Sequence, residues 1–276
     1  MKKSNICLGE AKMQKIVNAH CHIYPEKIAS KAVIGIRDFY DLDMSLNGTV
    51  DDLIKDGKKV GVTHYLVHSV ATTPKQVKSI NEFISSEVKK HPNIFTGFGS
   101  LHPNSDDIQE DFNYLIELGL KGVKLHPDFQ QFALNEEHAF KIGEVINESD
   151  VPVLIHCGDF RYNYSNPKQL KPFLEKFPNL TVIGAHFAGW SMWEDACEKL
   201  AGTPNLYVDI SSSLYNLTPE TAHDLIHAYG VDKVLWGTDY PMWDSVSEME
   251  YFDKIDLTKK ERNKILYENA AKLLKL

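Results

Sequence analysis

Short apolar runs rich in branched residues recur about every 20 to 50 residues: "KIVNAH" (15–20), "HYLVHS" (64–69), "IFTGFGSL" (94–101), "GVKLH" (122–126), "VPVLIH" (151–156), "TVIGAH" (181–186), "LYVDISS" (206–212) and "VLWGTD" (234–239). Most are apolar at both parities, which predicts strands buried on both faces. Between them the apolar positions change to helical spacing. After "HPNSDD" come Ile108, Phe112, Leu115 and Leu118, with Asn104 or Ser105 as the expected N-cap and Gly119 near the C-cap. Similar helices are predicted at about 74–90, 136–149, 167–177, 190–201 and 219–229, and a last one from Thr258.

Eight buried strands alternating with helices predict an α/β protein with a parallel sheet, and about 260 residues of such units fit a closed (β/α)8 TIM barrel. The competing doubly wound open sheet is short of support, because no G-x-G-x-x-G follows the first strand. No linker or composition shift divides the chain. Residues 15–276 are therefore expected to form a single TIM-barrel domain behind an N-terminal extension, 1–14. Residues 23 to about 48 separate the first strand from its helix, longer than most such loops, and predict an ordered substrate loop or lid.

Composition narrows the partners. The chain has 276 residues, 43% of them hydrophobic, and a formal charge of −8 without a basic stripe, so no nucleic-acid partner is expected. No apolar run reaches the roughly 18 residues of a membrane span and no signal-type segment opens the chain, which predicts a soluble, cytoplasmic protein with no membrane partner. Cys7, Cys21, Cys157 and Cys197 lack CxxC spacing and are expected as reduced thiols, Cys157 with a structural role. Arginine occurs only at Arg37, Arg161 and Arg262.

The candidate chemistry begins with His20 and His22 in "VNAHCHIYP", which share a face if the segment is a strand. Alone, this pair does not separate a metal site from a surface pair. The fold adds a constraint, since a barrel of this kind keeps its active site at the C-terminal ends of its strands. His20, His22, His68, His102, His126, His156 and His186 all fall on or just past such ends, and the last strand ends at Asp239. His91, His138, His223 and His227 lie elsewhere, and His64 starts a strand. Imidazoles and a carboxylate at one mouth suit zinc or a similar divalent ion.

Together, "HCHIYP", "GVKLHPDFQ", "VLIHCGD", "GAHFAGW", "GTDYP" and the closing "ILYENAAKLL" make a specific set. The chain resembles the amidohydrolase superfamily, and within it the amidohydrolase-related group that includes aminocarboxymuconate-semialdehyde decarboxylase. The resemblance implies that His20, His22, His156 and Asp239 hold one catalytic divalent metal, with zinc expected, and that His186 is the acid/base residue, Asp239 sharing that work. Such an ion lowers the pKa of bound water from 15.7 to about 7.

Lys124 and His126 share parity on the fourth strand. Members with two metals use a carboxylated lysine from that strand as a bridge, with the histidines of strands five and six on the second metal. The other reading pairs Lys124 with a carboxylate such as Asp209 and makes His126 a ligand or substrate contact; one ion is expected over two. Arg161 and Arg37 are candidates to clamp a substrate carboxylate, or else surface residues. Trp190 and Trp243 either wall the pocket or pack. Ser211 to Ser213 are expected as strand-end polar residues.

The expected activity is that of a metal-dependent hydrolase, attacking an amide, lactone or ester of a small carboxylate-bearing substrate with metal-activated water. The alternative is a nonoxidative metal-dependent decarboxylase of an unsaturated or aromatic carboxylic acid. A metal-binding pseudoenzyme is disfavoured because every expected site residue is present. A homodimer is a further expectation, as such barrels often pair.

Overall fold

The structure is a computed structural model that describes residues 14–276. Cys7 and, apart from Gln14, the expected N-terminal extension lie outside the described residues. Nine strand segments form the sheet: β1 (Val17–His22), β2 (His64–His68), β3 (Phe95–Gly97), β4 (Gly99–Ser100), β5 (Val123–Leu125), β6 (Val153–Ile155), β7 (Val182–Gly184), β8 (Leu206–Asp209) and β9 (Val234–Leu235). All neighbours pair in parallel, in the orders β1-β2-β3 and β4-β5-β6-β7-β8-β9. The third expected strand is broken at Phe98, yet the ladder continues across the break. Phe98 N donates to the Val67 carbonyl at 2.9 Å and Gly99 N to that of Gly122 at 2.9 Å.

The seam between the last strand and the first closes the barrel. Ala19 N donates to Trp236 O (2.9 Å) and His22 N to Tyr240 O (2.7 Å). Beneath it, Asn18 Nδ2 donates to Thr238 Oγ1 (2.9 Å) and Asn18 Oδ1 accepts from Thr238 N (3.1 Å). These buried amides have no water to bond, so side-chain partners at the seam satisfy them. The result is the expected (β/α)8 barrel, closed on itself among the described residues.

The helices cover this barrel as α1 (Glu26–Tyr40), α2 (Val50–Lys58), α3 (Val77–Lys90), α4 (Ile108–Glu117), α5 (Pro127–Gln130), α6 (Glu137–Asn147), α7 (Pro167–Lys176), α8 (Trp193–Leu200), α9 (Pro219–Tyr229), α10 (Ser245–Asp253), α11 (Lys259–Asn263) and α12 (Asn269–Leu274). Two local expectations need correction. The N-cap of α4 is Asp107, whose carboxylate accepts from Glu110 N at 2.9 Å, rather than Asn104 or Ser105, which stand in the preceding turn. The long first connection is largely helical. Ile28, Ala32, Ile36 and Phe39 are spaced for one helical face, and they line a common groove.

Leu66 and Leu154, two residues before His68 and His156, pack with Phe98, Ile183 and Leu235 in one buried cluster. Alternation therefore sets the histidines above an apolar floor. A larger cluster lies between strands and helices. Among the described residues, Cys21, Cys157 and Cys197 are free thiols, and no helix is long and apolar enough to cross a membrane.

Candidate metal centre

The two histidines of β1 stand at its end with Asp239, which follows β9 across the closing seam. Their facing atoms converge: His20 Nε2 is 3.3 Å from His22 Nε2 and 3.2 Å from Asp239 Oδ1, and His22 Nε2 is 3.4 Å from the same oxygen. On its other side His20 Nδ1 donates to Asp209 Oδ2 at 2.9 Å. That bond fixes the tautomer and leaves a lone pair on Nε2. Lys124 Nζ, fully buried, lies 3.1 Å from His20 Nε2.

Electrostatics keeps His22 and Asp239 in the ligating form. Burial drives His22 down to about 4 against the pull of Asp239. Burial would raise the Asp239 carboxyl, but His20, His22 and His186 outweigh it and hold it well below the usual carboxylate range. Imidazole nitrogens and a carboxylate oxygen that close favour a cation between them. Lys124, lowered by burial to about 8, supplies one positive charge from the side. The donor set of two nitrogens and one oxygen fits a divalent ion, and the orphaned His22 Nδ1 and His68 nitrogens mark a polar interior that the protein alone does not satisfy.

A second group faces the first. His186 Nδ1 donates to the Ser211 carbonyl at 2.9 Å, leaving Nε2 free, and Nε2 stands 3.1 Å from His156 Nδ1 and 4.0 Å from Asp239 Oδ2. His156 Nε2 in turn lies 3.1 Å from the Gly158 carbonyl. His156 thus joins the His20–His22–Asp239 group through His186. Its ring stacks on His126 at 3.9 Å and 4°, and His126 on Phe129 at 3.8 Å and 6°. Gly158 has a φ of +83°, and a Cβ there would sit 2.4 Å from Trp190 N. Only glycine lets the loop after β6 approach the loop that carries His186.

His186, Ser212 and Asp239 all have left-handed φ, at 60°, 49° and 54°. Such conformations cost about 1–3 kcal/mol each for residues other than glycine and collect where function requires a side chain to point inward. Phe187 and Ala188 after His186 share that conformation, and over the mouth Ser212 Oγ donates to Asp239 Oδ2 at 2.7 Å.

Other expected residues are placed as follows. His68 packs against His22 and His20, ring centroids 4.4 and 5.0 Å away. His102 is used locally, accepting from Asn104 N at 3.1 Å. Lys124 does not pair with Asp209; that carboxylate is taken by His20 and by Ser211, because Asp209 lies beside them on β8 and the loop after it. Arg37 is an outward residue of α1 bound to Asp38 at 2.8 Å, outside the residues lining the mouth. Arg161 is brought to the rim but its donors are used, as described below. Trp190 lines the mouth, whereas Trp243 stacks on Tyr215 at 4.5 Å and donates to Ser212 Oγ at 2.9 Å.

Sequence reasoning missed Tyr40 and gave Asp209, Ser211 and Ser212 other roles. Tyr40 sits at the end of α1 over the mouth, its hydroxyl 3.0 Å from His126 Nε2 and 3.4 Å from His156 Nε2. The helical spacing of Ile28, Ala32, Ile36 and Phe39 is the signal that would have placed Tyr40 beside the pocket face.

Fold and site together define a (β/α)8 barrel enzyme with a candidate histidine–aspartate metal centre at the C-terminal ends of its strands. The Amidohydrolase family model matches residues 17–276, and the chain belongs to that family. Among curated proteins it is similar to the gamma-resorcylate decarboxylase of Polaromonas sp. (strain JS666 / ATCC BAA-500), 23% identical, with 71% of this chain and 75% of that protein covered. It is also similar to the 2-amino-3-carboxymuconate-6-semialdehyde decarboxylase of Dictyostelium discoideum, 24% identical, with 59% of this chain and 55% of that protein covered. A solved dihydroxybenzoic acid decarboxylase from Polaromonas sp. JS666, with bound manganese and 2-nitroresorcinol, shares the fold at a TM-score of 0.71 and 18% identity, covering 96% of this chain and 98% of that one.

Proposed function

We propose that this protein is a nonoxidative, metal-dependent decarboxylase of an aromatic or unsaturated carboxylic acid, which sets the alternative of the sequence reading ahead of the hydrolase. What carries the proposal is that both curated relatives are decarboxylases by name. The mouth supports it physically. Ile36, Met44, Phe129, Pro241 and Met242 surround the histidines, so a carboxylate drawn in there loses its hydration. That loss favours departure of neutral carbon dioxide, whereas a hydrolase needs water at this place.

In this reading His20, His22 and Asp239 hold one divalent ion, with His68 and His186 the nearest further imidazoles and His156 behind His186. When bound, the ion supplies a Lewis-acid contact that fixes the substrate's oxygens. Zinc and manganese both suit the donor set. Breaking the bond between ring and carboxylate leaves an electron pair on the ring carbon, which must take a proton as carbon dioxide departs. His186 Nε2, which carries a lone pair in the free protein, takes a proton from solvent as the substrate enters and passes it to that carbon, with His156 and Asp239 beside it. Ser211 holds the His186 ring through its carbonyl. Phe129, His126 and Trp190 supply flat walls for an aromatic ring.

The deciding experiment incubates metal-loaded protein with aromatic acids, lactones and cyclic amides while recording carbon dioxide and hydrolysed product. Gas release from an acid without hydrolysis is expected; hydrolysis without gas overturns the reading. One equivalent of metal per chain is expected. With two equivalents, His156 and His186 would be the residues to hold the second ion, and His186 would no longer be the proton donor.

A further inference from the structure

The mouth beside His22, His126 and Asp239 has a free volume of about 20 Å³. That is room for one water, whereas a cavity that binds one benzene is about 150 Å³. Tyr40, from α1 outside the barrel, lines this mouth and the smaller space beside His186 and Trp190, while a groove of about 990 Å³ along α1 opens past His22 and Phe129. The Tyr40 phenol lies with its oxygen at His126 Nε2 and His156 Nε2, its ring 5.1 Å from that of Trp190 and 5.9 Å from that of Phe129. His126 Nδ1 accepts from Phe129 N at 3.3 Å, so its Nε2 carries the hydrogen and donates to the Tyr40 oxygen. The Tyr40 ring thus occupies the slot at angles of 47° to 74° to the four rings about it, with an N–H donor at its hydroxyl end.

We propose that the slot between His126, His156, Phe129 and Trp190 is the subsite for the substrate's ring and one of its oxygens, and that Tyr40 fills it until substrate displaces it, with Arg161 as the latch. The ring as ligand rests on the decarboxylase reading; the displaceable tyrosine does not. Arg161 is built for the second task. Its Nε and NH2 groups hold Asp159 at 2.9 and 2.7 Å, and NH1 donates to the Phe39 carbonyl at 2.8 Å. The guanidinium carbon also lies 5.0 Å from the Phe39 ring centre and 5.5 Å from that of Tyr40. Asp159 is wholly buried and anchors the arginine to the loop after β6. A cation on the last carbonyls of a helix is favourable in itself. Beyond this and the packing of Phe39 and Tyr40 on Phe129, Tyr162 and Trp190, α1 is lightly held, since Ala29 is its one fully buried residue and Ile28 and Ile34 are 45% and 44% exposed. A helix with so few buried contacts opens at low cost.

A ligand that must first displace Tyr40 binds with an affinity reduced by the fraction of molecules in which the slot is open. Removing the hydroxyl deletes the hydrogen bond that favours the closed form, which raises apparent affinity about tenfold. Metal-loaded wild type, Tyr40→Phe, Tyr40→Ala and Arg161→Gln are titrated calorimetrically with benzoate and with phenol, folding being checked by circular dichroism. Tyr40→Phe and Arg161→Gln are expected to bind benzoate about tenfold more tightly than wild type. Tyr40→Ala is expected to take up one equivalent of phenol that wild type does not. Unchanged or weaker benzoate binding by Tyr40→Phe overturns the proposal; if Tyr40→Ala fails to fold, Tyr40→Phe decides alone. Because binding is read without turnover, tighter binding with no carbon dioxide from any acid would refute the reaction and leave the subsite standing. Carbon dioxide release with identical affinities across the variants would do the reverse.

Discussion

β1 and α1 follow each other directly in the chain, both reach the candidate centre, and they are held in opposite ways. All six residues of β1 are buried, and its backbone is bonded to β2 on one side and to the segment after β9 on the other. α1 is fifteen residues long, with Ala29 alone fully buried, and is tied down at its end by Arg161. The difference separates two tasks. Side chains that hold an ion need positions fixed to a fraction of an ångström, which a doubly paired strand provides. A side chain that must leave for a ligand to enter needs an element of low local stability. Tyr40 and His22 are close neighbours in space, but only His22 is carried by the core.

Four measurements sharpen or break this contrast. The largest effect is expected at the rim, where His186→Asn should lower the rate of carbon dioxide release about 10²- to 10⁴-fold with metal content unchanged, as for loss of a general acid. Undiminished turnover would remove the role given to His186. Next comes Asp209→Asn, which takes away the carboxylate that orients His20. Ion affinity, measured by competition with a chelator, should fall about 10- to 100-fold; an unchanged affinity would mean that the His20 ring is set by packing alone.

The third measurement addresses the lid directly. Amide hydrogen exchange should run through 26–40 well before the amides of β1 and β6, and Arg161→Gln should speed the first group without touching the second. Equal protection of α1 and β1 would erase the distinction. The smallest effect belongs to neither region. Glu248 of α10 is fully buried with both carboxyl oxygens unpaired, and burial raises its pKa well above the ordinary value. The folded state therefore keeps a proton that the unfolded state gives up. Its penalty is absent below the unfolded pKa of about 4.3 and grows as pH rises through and above that value. Glu248→Gln should melt a few degrees higher than wild type at pH 8, with the gap closing toward pH 4, and activity should stay as it was. A gap that widens on acidification would contradict the assignment.

Much of the rim could be read from the chain because strand ends are marked twice, by the end of an apolar run and by the fold rule that puts chemistry there. His20, His22, His126, His156, His186 and Asp239 were found that way. Asp209 and Ser211 were misjudged for one reason: both lie at strand or loop positions whose polarity is ordinary, and their meaning depends on which ring stands across the barrel. His156 shows the limit differently. Its place at a strand end was legible, but not that His186 would stand between it and Asp239. Arg161 was recognised as scarce and well placed, whereas its partners turned out to be Asp159 and the Phe39 carbonyl, the latter an atom that no side-chain pattern announces.

Periodicity, strand count and residue type are local properties, and they sufficed to define a (β/α)8 barrel with imidazoles and a carboxylate at one end. Which nitrogen faces which oxygen, and which helix end roofs them, was settled by closure of the barrel and the docking of α1, which bring together atoms far apart in sequence. Sequence alone carries no coordinates for such meetings, because each depends on the packing of the whole shell between them.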